Sequence, residues 1–171
     1  MDSEFFPITS SPGLYSFLKP YSIKFKKLDG HALLPTRAKE GDAGYDLYLL
    51  ENGLIEAGSF ARLKTGIAVE FWEPINYKNV DYTGTLTPVG LVRARSSAFA
   101  KGLMIQGTID DGYRGELMVQ AWNINKEPFY YFFGDRIAQM VVTYAITLPG
   151  EEVQELSDSD RGTGAFGSTG K

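Results

Sequence analysis

The sequence predicts an all-β fold, a jelly-roll-like sandwich or barrel, on three observations. Short apolar segments rich in β-forming residues recur through the middle of its 171 residues. Glycines and prolines punctuate them, among them Pro35, Gly58, Pro74, Pro88, Gly107, Pro128 and Gly134. Only one stretch carries the marks of a helix. In chain order, Tyr21–Leu28 ("YSIKFKKL") alternates apolar with polar residues and places Ile23 and Phe25 on one face. Ala61–Phe71 ("ARLKTGIAVEF") is short and apolar, as a strand requires. Ser96–Gly102 ("SSAFAKG") is the helix, short, with Ser96 or Ser97 able to cap it and Gly102 able to stop it. Glu116–Ile124 ("ELMVQAWNI") and Arg136–Ile146 ("RIAQMVVTYAI") complete the strand set. No internal repeat is present, and low complexity is confined to a glycine-rich tail, expected to be flexible.

Composition narrows the chemistry. Hydrophobic residues at 43% and aromatics at 13% are enough for one packed domain. With no cysteine, disulfides, zinc–thiolate sites and thiol nucleophiles are excluded. His31 is the only histidine, in a loop, so a His-rich metal site and a Ser-His-Asp triad are set aside. The net charge is −4, and the last 21 residues hold five acids against two bases. No basic stripe suggests nucleic-acid binding, and no apolar run suggests a membrane span. Residues 1–21 have acids at Asp2 and Glu4 ahead of any base and are broken by Pro7, Pro12 and Pro20, unlike a signal or transit peptide. The expectation is a soluble intracellular protein, of cytoplasm or nucleus and not secreted.

Five stretches look unlike packing. "DAGYDLY" (Asp42–Tyr48) sets two carboxylates around a glycine turn. "RARSSAFAKG" places Arg93 and Arg95 before a hydroxyl pair, a combination suited to an anion. "GTIDDGYRGE" (Gly107–Glu116) carries an Asp and a Tyr on a glycine-bounded hairpin, and "GDRIAQ" (Gly134–Gln139) follows. The last is the tail, "RGTGAFGSTG" (Arg161–Gly170). Its G-x-G-x-x-G spacing is not a dinucleotide fingerprint, which needs a following helix and an acidic residue roughly 20 positions on. Singly, each stretch has a plain structural explanation. Glycine turns are common, serines cap helices, and Asp46 can form a buried ion pair with Arg136.

In this order the five stretches resemble the five motifs of the trimeric dUTP diphosphatase (dUTPase) family, over roughly Ile23 to Lys171. The resemblance implies hydrolysis of dUTP to dUMP and pyrophosphate, which limits uracil in DNA and supplies the dTTP precursor. It assigns the phosphates to Arg95, Ser96 and Ser97, with Gln139 nearby. Mg²⁺ would be held by phosphate groups and waters, with Asp46 and Gln139 acting through water and no direct protein ligand. Gly107, Thr108 and Ile109 would read uracil through backbone groups on the hairpin, and cytosine would leave those groups unpaired. Tyr113 would stack under the deoxyribose and leave no room for a 2′-hydroxyl, with Met118 lining the same pocket. Asp110 would be the general base that takes the proton of the attacking water. In the tail, Arg161 would clamp the γ-phosphate and Phe166 would stack on uracil. Gly167, Ser168 and Thr169 would supply close donors as the segment shuts.

The resemblance also implies a homotrimer with active sites drawn from several subunits. It divides the chain into an extension (1–21), a dUTPase-like β core (22–150) and a C-terminal arm with a glycine-rich lid (151–171). The sequence departs from the family in three places. Ala94 stands where proline is common, and Gly112 stands where many members carry a second Asp. The segment over about 71–90, "FWEPINYKNVDYTGTLTPVG", is longer than the usual link. An extra hairpin on the rim or at a subunit contact are both open for it, and it is the candidate surface for a protein partner. Two alternatives stand beside hydrolysis. A dCTP deaminase-like enzyme shares the fold and an Arg-Ser-Ser stretch, but its catalytic glutamate would fall at Gln120, an amide unable to act as base. A catalytically silent nucleotide-binding regulator has little physical need for Asp110, Tyr113, Arg161 and Phe166 together.

Overall fold

A computed structural model describes residues 23–71, 75–76, 85–160 and 162–163. In chain order the strands are β1 (Lys24–Lys27), β2 (Gly44–Leu47), β3 (Gly53–Ile55), β4 (Phe60–Leu63), β5 (Ile67–Glu70), β6 (Ile75–Asn76) and β7 (Thr85–Ala94). The short helix α1 (Ser96–Ala100) follows, then β8 (Leu103–Ile109), β9 (Val119–Asn123), β10 (Phe129–Tyr131) and β11 (Ala138–Thr147). A seven-stranded sheet runs β2-β11-β7-β8-β9-β4, with β6 added to β7, while β1-β5 and β3-β10 form two-stranded ribbons. The pairings between these strands are antiparallel. The sheet curls, so that its inner face and the ribbons share one core, the jelly-roll-like architecture that the strand pattern predicts. Leu47, Val92, Leu103, Val119, Ala138 and Met140 come to that core from the large sheet, and Ile55, Ile67 and Val69 from the ribbons. Strict alternation shows best in β9, where Val119, Ala121 and Asn123 face inward and Gln120 and Trp122 outward. Among the described residues no helix is long and apolar enough to cross a membrane.

Several elements differ from their sequence reading, each for a local reason. Ala61–Phe71 is two strands rather than one. The chain breaks at Lys64–Gly66, where Gly66 takes φ +67°, a conformation open to glycine. A Cβ there would lie 2.8 Å from the Cβ of Ala32, so space and dihedral both demand glycine. The first strand starts at Lys24, with Phe25 edge-on to Tyr45 at 5.5 Å between ring centroids; Tyr21 and Ser22 lie outside the described residues. Helix α1 is not capped by a serine. Arg95 is its N-cap, without a side-chain cap bond, and Ser96 and Ser97 lie inside the first turn. Gly102, at φ +77°, ends the turn that follows, as expected. The long 71–90 segment contains a strand pairing, with Ile75 opposite Leu86 and Asn76 opposite Thr85. Residues 72–74 and 77–84 lie outside the described residues, as does the 1–21 extension. Pro88 sits within β7 opposite Tyr144, between the ladder of β6 ending at Leu86 and that of β8 ending at Gly90. A missing N–H costs no ladder bond at such a gap.

One buried polar side chain organises the end of the sheet. Asn123 is fully buried, and its Nδ2 donates to the carbonyls of Ile55 (3.0 Å) and Glu127 (2.8 Å). Its Oδ1 accepts from the Asn125 N–H at 3.1 Å. Asn123→Ala strands these buried groups, and the expected loss of about 2–4 kcal/mol is read as a lowered urea midpoint with an unchanged slope.

Candidate active site

The first constellation is built across β2 and β11. Their register sets Gln139 opposite Asp46 and Val141 opposite Gly44, so these side chains share one face. The bare Gly44 leaves room for the amide of Gln139 to lie over the strand, where a Cβ would displace it. Asp46 is buried, and its backbone N–H donates to Thr36 O at 2.7 Å. Its two carboxylate oxygens are both engaged. Oδ1 lies 2.8 Å from Nε of Arg95, and Oδ2 lies 3.1 Å from a terminal nitrogen of Arg136. Arg95 is held a second time, by donation from its guanidinium to the Arg136 carbonyl at 3.1 Å. Its backbone N–H is also fixed, on Ile137 O at 2.9 Å. The remaining donors of the Arg95 fork are uncommitted among the described residues, and so are the hydroxyls of the exposed Ser96 and Ser97.

These residues line a cleft of about 500 Å³ bounded by Asp42, Gly44, Asp46, Arg95, Ser96, Ser97 and Gln139. Asp42 and Asp46 are balanced by Arg95 and Arg136, so what the cleft offers an anion is the free edge of the Arg95 guanidinium together with two neutral hydroxyl donors. Such donors suit phosphate oxygens. The ion pair of Asp46 with Arg136, one of the two sequence readings for Asp46, is therefore present, and it serves to hold Arg95. Arg136 itself was legible only as that partner. Its further hold on Arg95, through its carbonyl, and its position 5.8 Å from the Tyr48 ring centroid depend on the fold.

The second constellation is the hairpin after β8. Gly107, Thr108 and Ile109 are the last residues of that strand, paired with Val92, Leu91 and Gly90 of β7. Asp110 follows at the turn, exposed, with its carbonyl accepting from the Tyr113 N–H at 3.0 Å. Its carboxylate makes no hydrogen bond to a described residue. Tyr113 is 43% exposed, and its phenol donates to the Glu116 carbonyl at 3.0 Å. That fold-back passes over Gly115, where any Cβ would strike the Tyr113 hydroxyl. Arg114 donates to the carbonyls of Asp111 and Tyr113 and ties the turn from inside. Met118 is half-buried on the face opposite Leu117 and Val119, so it does not belong to the core. Glu116 and Thr65, which brace this hairpin, carry no sequence signal of their own. Arg161, Phe166, Gly167, Ser168 and Thr169 lie outside the described residues.

Asp110 and Arg95 do not meet within one chain. Asp110 comes one residue after Ile109, which stands opposite Gly90, whereas Arg95 lies just past the other end of the β7 ladder. Six residues of strand separate those points, about 20 Å.

A family model described as dUTPase matches residues 31–170. The chain belongs to the dUTPase family. Among curated relatives, the deoxyuridine 5'-triphosphate nucleotidohydrolase of Clostridium acetobutylicum is 42% identical over 153 residues, covering 87% of this chain and 97% of the relative. Among solved structures, a variant dUTPase of Staphylococcus bacteriophage 80alpha with dUpNHpp is similar at a TM-score of 0.73 and 28% identity, covering 88% of this chain and 99% of that one. A mutant dUTPase from phage phi11 of S. aureus, described with a structural Mg(II) ion, has a TM-score of 0.64 at 26% identity, covering 78% of this chain and 97% of that one. The dUTPase match spans both constellations and the glycine-rich tail, as well as the strands between them.

Proposed function

We infer that this dUTPase-family chain hydrolyses dUTP to dUMP and pyrophosphate. The observation that carries the reading is the donor cleft, in which Asp46 and the Arg136 carbonyl hold Arg95 beside Ser96, Ser97 and Gln139. That cleft is the place for the triphosphate, and binding there orients the α-phosphorus for in-line attack. Asp110, whose carboxylate is uncommitted among the described residues, accepts the proton of the attacking water. The leaving pyrophosphate departs within the field of Arg95. Tyr113 packs against the deoxyribose, the backbone of Gly107–Ile109 reads the uracil edge, and Met118 lines that pocket. Arg161 and Phe166, with Gly167, Ser168 and Thr169, close over the γ-phosphate and base. This completes a core at 22–150 served by an arm and lid at 151–171.

Mg²⁺ fits this donor set as an ion held by the substrate. Both oxygens of Asp46 face guanidiniums, so Asp46, like the Gln139 amide beside it, would reach the ion through water. When bound, the ion neutralises phosphate charge. The separation of Asp110 from Arg95 supports a homotrimer in which the hairpin of one subunit serves the cleft of another. The deaminase alternative finds no support. Gln120 stands exposed on the outer face of β9, opposite Arg62.

With Mg²⁺ the purified protein is expected to convert dUTP to dUMP and pyrophosphate while sparing dTTP, dCTP and UTP. Chromatography of the nucleotide products checks this. Ammonia released from dCTP, or indifference to the base, would overturn the reading.

A further inference from the structure

The hairpin that carries Asp110 and Tyr113 is exposed at its tip, yet its returning stem is tied to a rigid block. Glu116 Oε1 accepts two backbone N–H bonds, from Thr65 at 3.1 Å and from Gly66 at 2.7 Å. The buried Thr65 sends its hydroxyl to Leu117 O at 2.7 Å and accepts from the Ile67 N–H at 3.2 Å. The Leu117 N–H donates to Ile67 O at 2.7 Å. The block itself is anchored twice more, by donation from Leu28 N–H to Gly66 O (2.8 Å) and from Leu50 N–H to Lys64 O (2.9 Å). Its turn has little room to move, since Gly66 has φ +67° and packs against Ala32.

The two ends of the hairpin are therefore placed by different means. The β7–β8 ladder sets Asp110, through Ile109 opposite Gly90. The Tyr113 backbone follows Asp110, its N–H on the Asp110 carbonyl, but its ring hangs from Glu116, whose carbonyl accepts its phenol and whose carboxylate grips the 65–66 turn. We propose that Glu116 is a positioning residue for Tyr113, fixing the height of the ring against the sugar and so setting the preference for deoxyribose over ribose. This rests on the reading that Tyr113 packs against the deoxyribose. The Glu116 carbonyl shares its peptide unit with the Leu117 N–H, held on Ile67 O. The carboxylate's two amide bonds fasten the residue to the 65–66 turn from the other side, setting the height of the carbonyl and of the hydroxyl that donates to it. Losing the grip lets the ring drift by a fraction of an ångström, enough to admit a 2′-hydroxyl, while Asp110 keeps its ladder.

The test compares steady-state hydrolysis of dUTP and UTP by Glu116→Ala, Glu116→Gln, Tyr113→Phe and Tyr113→Ala. Glu116→Ala is expected to raise KM for dUTP about tenfold and lower the dUTP-to-UTP preference by a similar factor, a loss of uniform binding with little change in kcat. Glu116→Gln restores both, because the amide oxygen accepts the same two N–H bonds. A merely structural role would lower the urea midpoint without moving the preference. Should Glu116→Ala fail to fold, Tyr113→Phe, which deletes only the donor to the Glu116 carbonyl, must still lower the preference about threefold. An unchanged preference in that variant overturns the proposal. If Tyr113→Ala keeps the wild-type preference, the sugar reading itself fails. If Tyr113→Ala loses the preference and Glu116→Ala retains it, the role of Glu116 alone fails.

Discussion

Asp110→Asn is expected to bind dUTP as the wild type does and to turn it over about 10²–10⁴-fold more slowly, the range for loss of a positioned general base. The substitution keeps shape and removes only the capacity to take a proton from water. It leaves the hairpin intact, because the Tyr113 N–H donates to the backbone carbonyl of residue 110, not to its side chain. Affinity is preserved for a second reason. Arg95, the proposed phosphate donor, is held by Asp46, the Arg136 carbonyl and Ile137, none of them in the hairpin, so its arrangement does not depend on residue 110. Calorimetry with a non-hydrolysable dUTP analogue measures the binding, and single-turnover hydrolysis measures the chemical step. A rate within a few-fold of wild type would remove Asp110 as the base.

Two inactive variants are expected to restore activity when mixed. Arg95→Ala loses the main guanidinium of the cleft, a deficit of about 10²–10³ in turnover by analogy with loss of one preorganised donor. It does not leave Asp46 uncompensated, since Arg136 remains 3.1 Å away. If each site takes its hairpin from one subunit and its cleft from another, refolding Arg95→Ala together with Asp110→Asn in equal amounts gives some sites with both parts intact. Random assortment puts an intact hairpin against an intact cleft in about one site in four, so the mixture recovers roughly a quarter of wild-type turnover. A site completed within one chain recovers nothing beyond the sum of the two variants. The outcome separates the two arrangements by more than an order of magnitude, which an assay of released pyrophosphate resolves.

Much of the fold was legible from local pattern. Alternation in Glu116–Ile124 and the apolar run of Arg136–Ile146 mark β9 and β11, because a strand with one buried face must alternate. The helix at Ser96 and its stop at Gly102 were equally visible. Boundaries were not. Ala61–Phe71 reads as one strand, since nothing local shows that Thr65 and Gly66 will be claimed by Glu116, some 50 residues on. The serines read as helix caps because they are good capping residues. The chain instead turns into the helix at Arg95, whose backbone is held by Ile137 and whose side chain is held by Asp46.

By itself the sequence determined an all-β fold and a chemistry without thiolates, a histidine triad or His-rich metal ligation. The order of five motifs also placed the chain in its family. Those properties reside in residue type, spacing and order, which need no folding to be read. Only the tertiary structure decided that Asp46 divides its two oxygens between Arg95 and Arg136. It alone set the Gln139 amide over Gly44, and it parted Asp110 from Arg95 by the length of a strand ladder. Each is a matter of register between strands distant in sequence, and a shift of one residue would turn every one of those side chains to the other face.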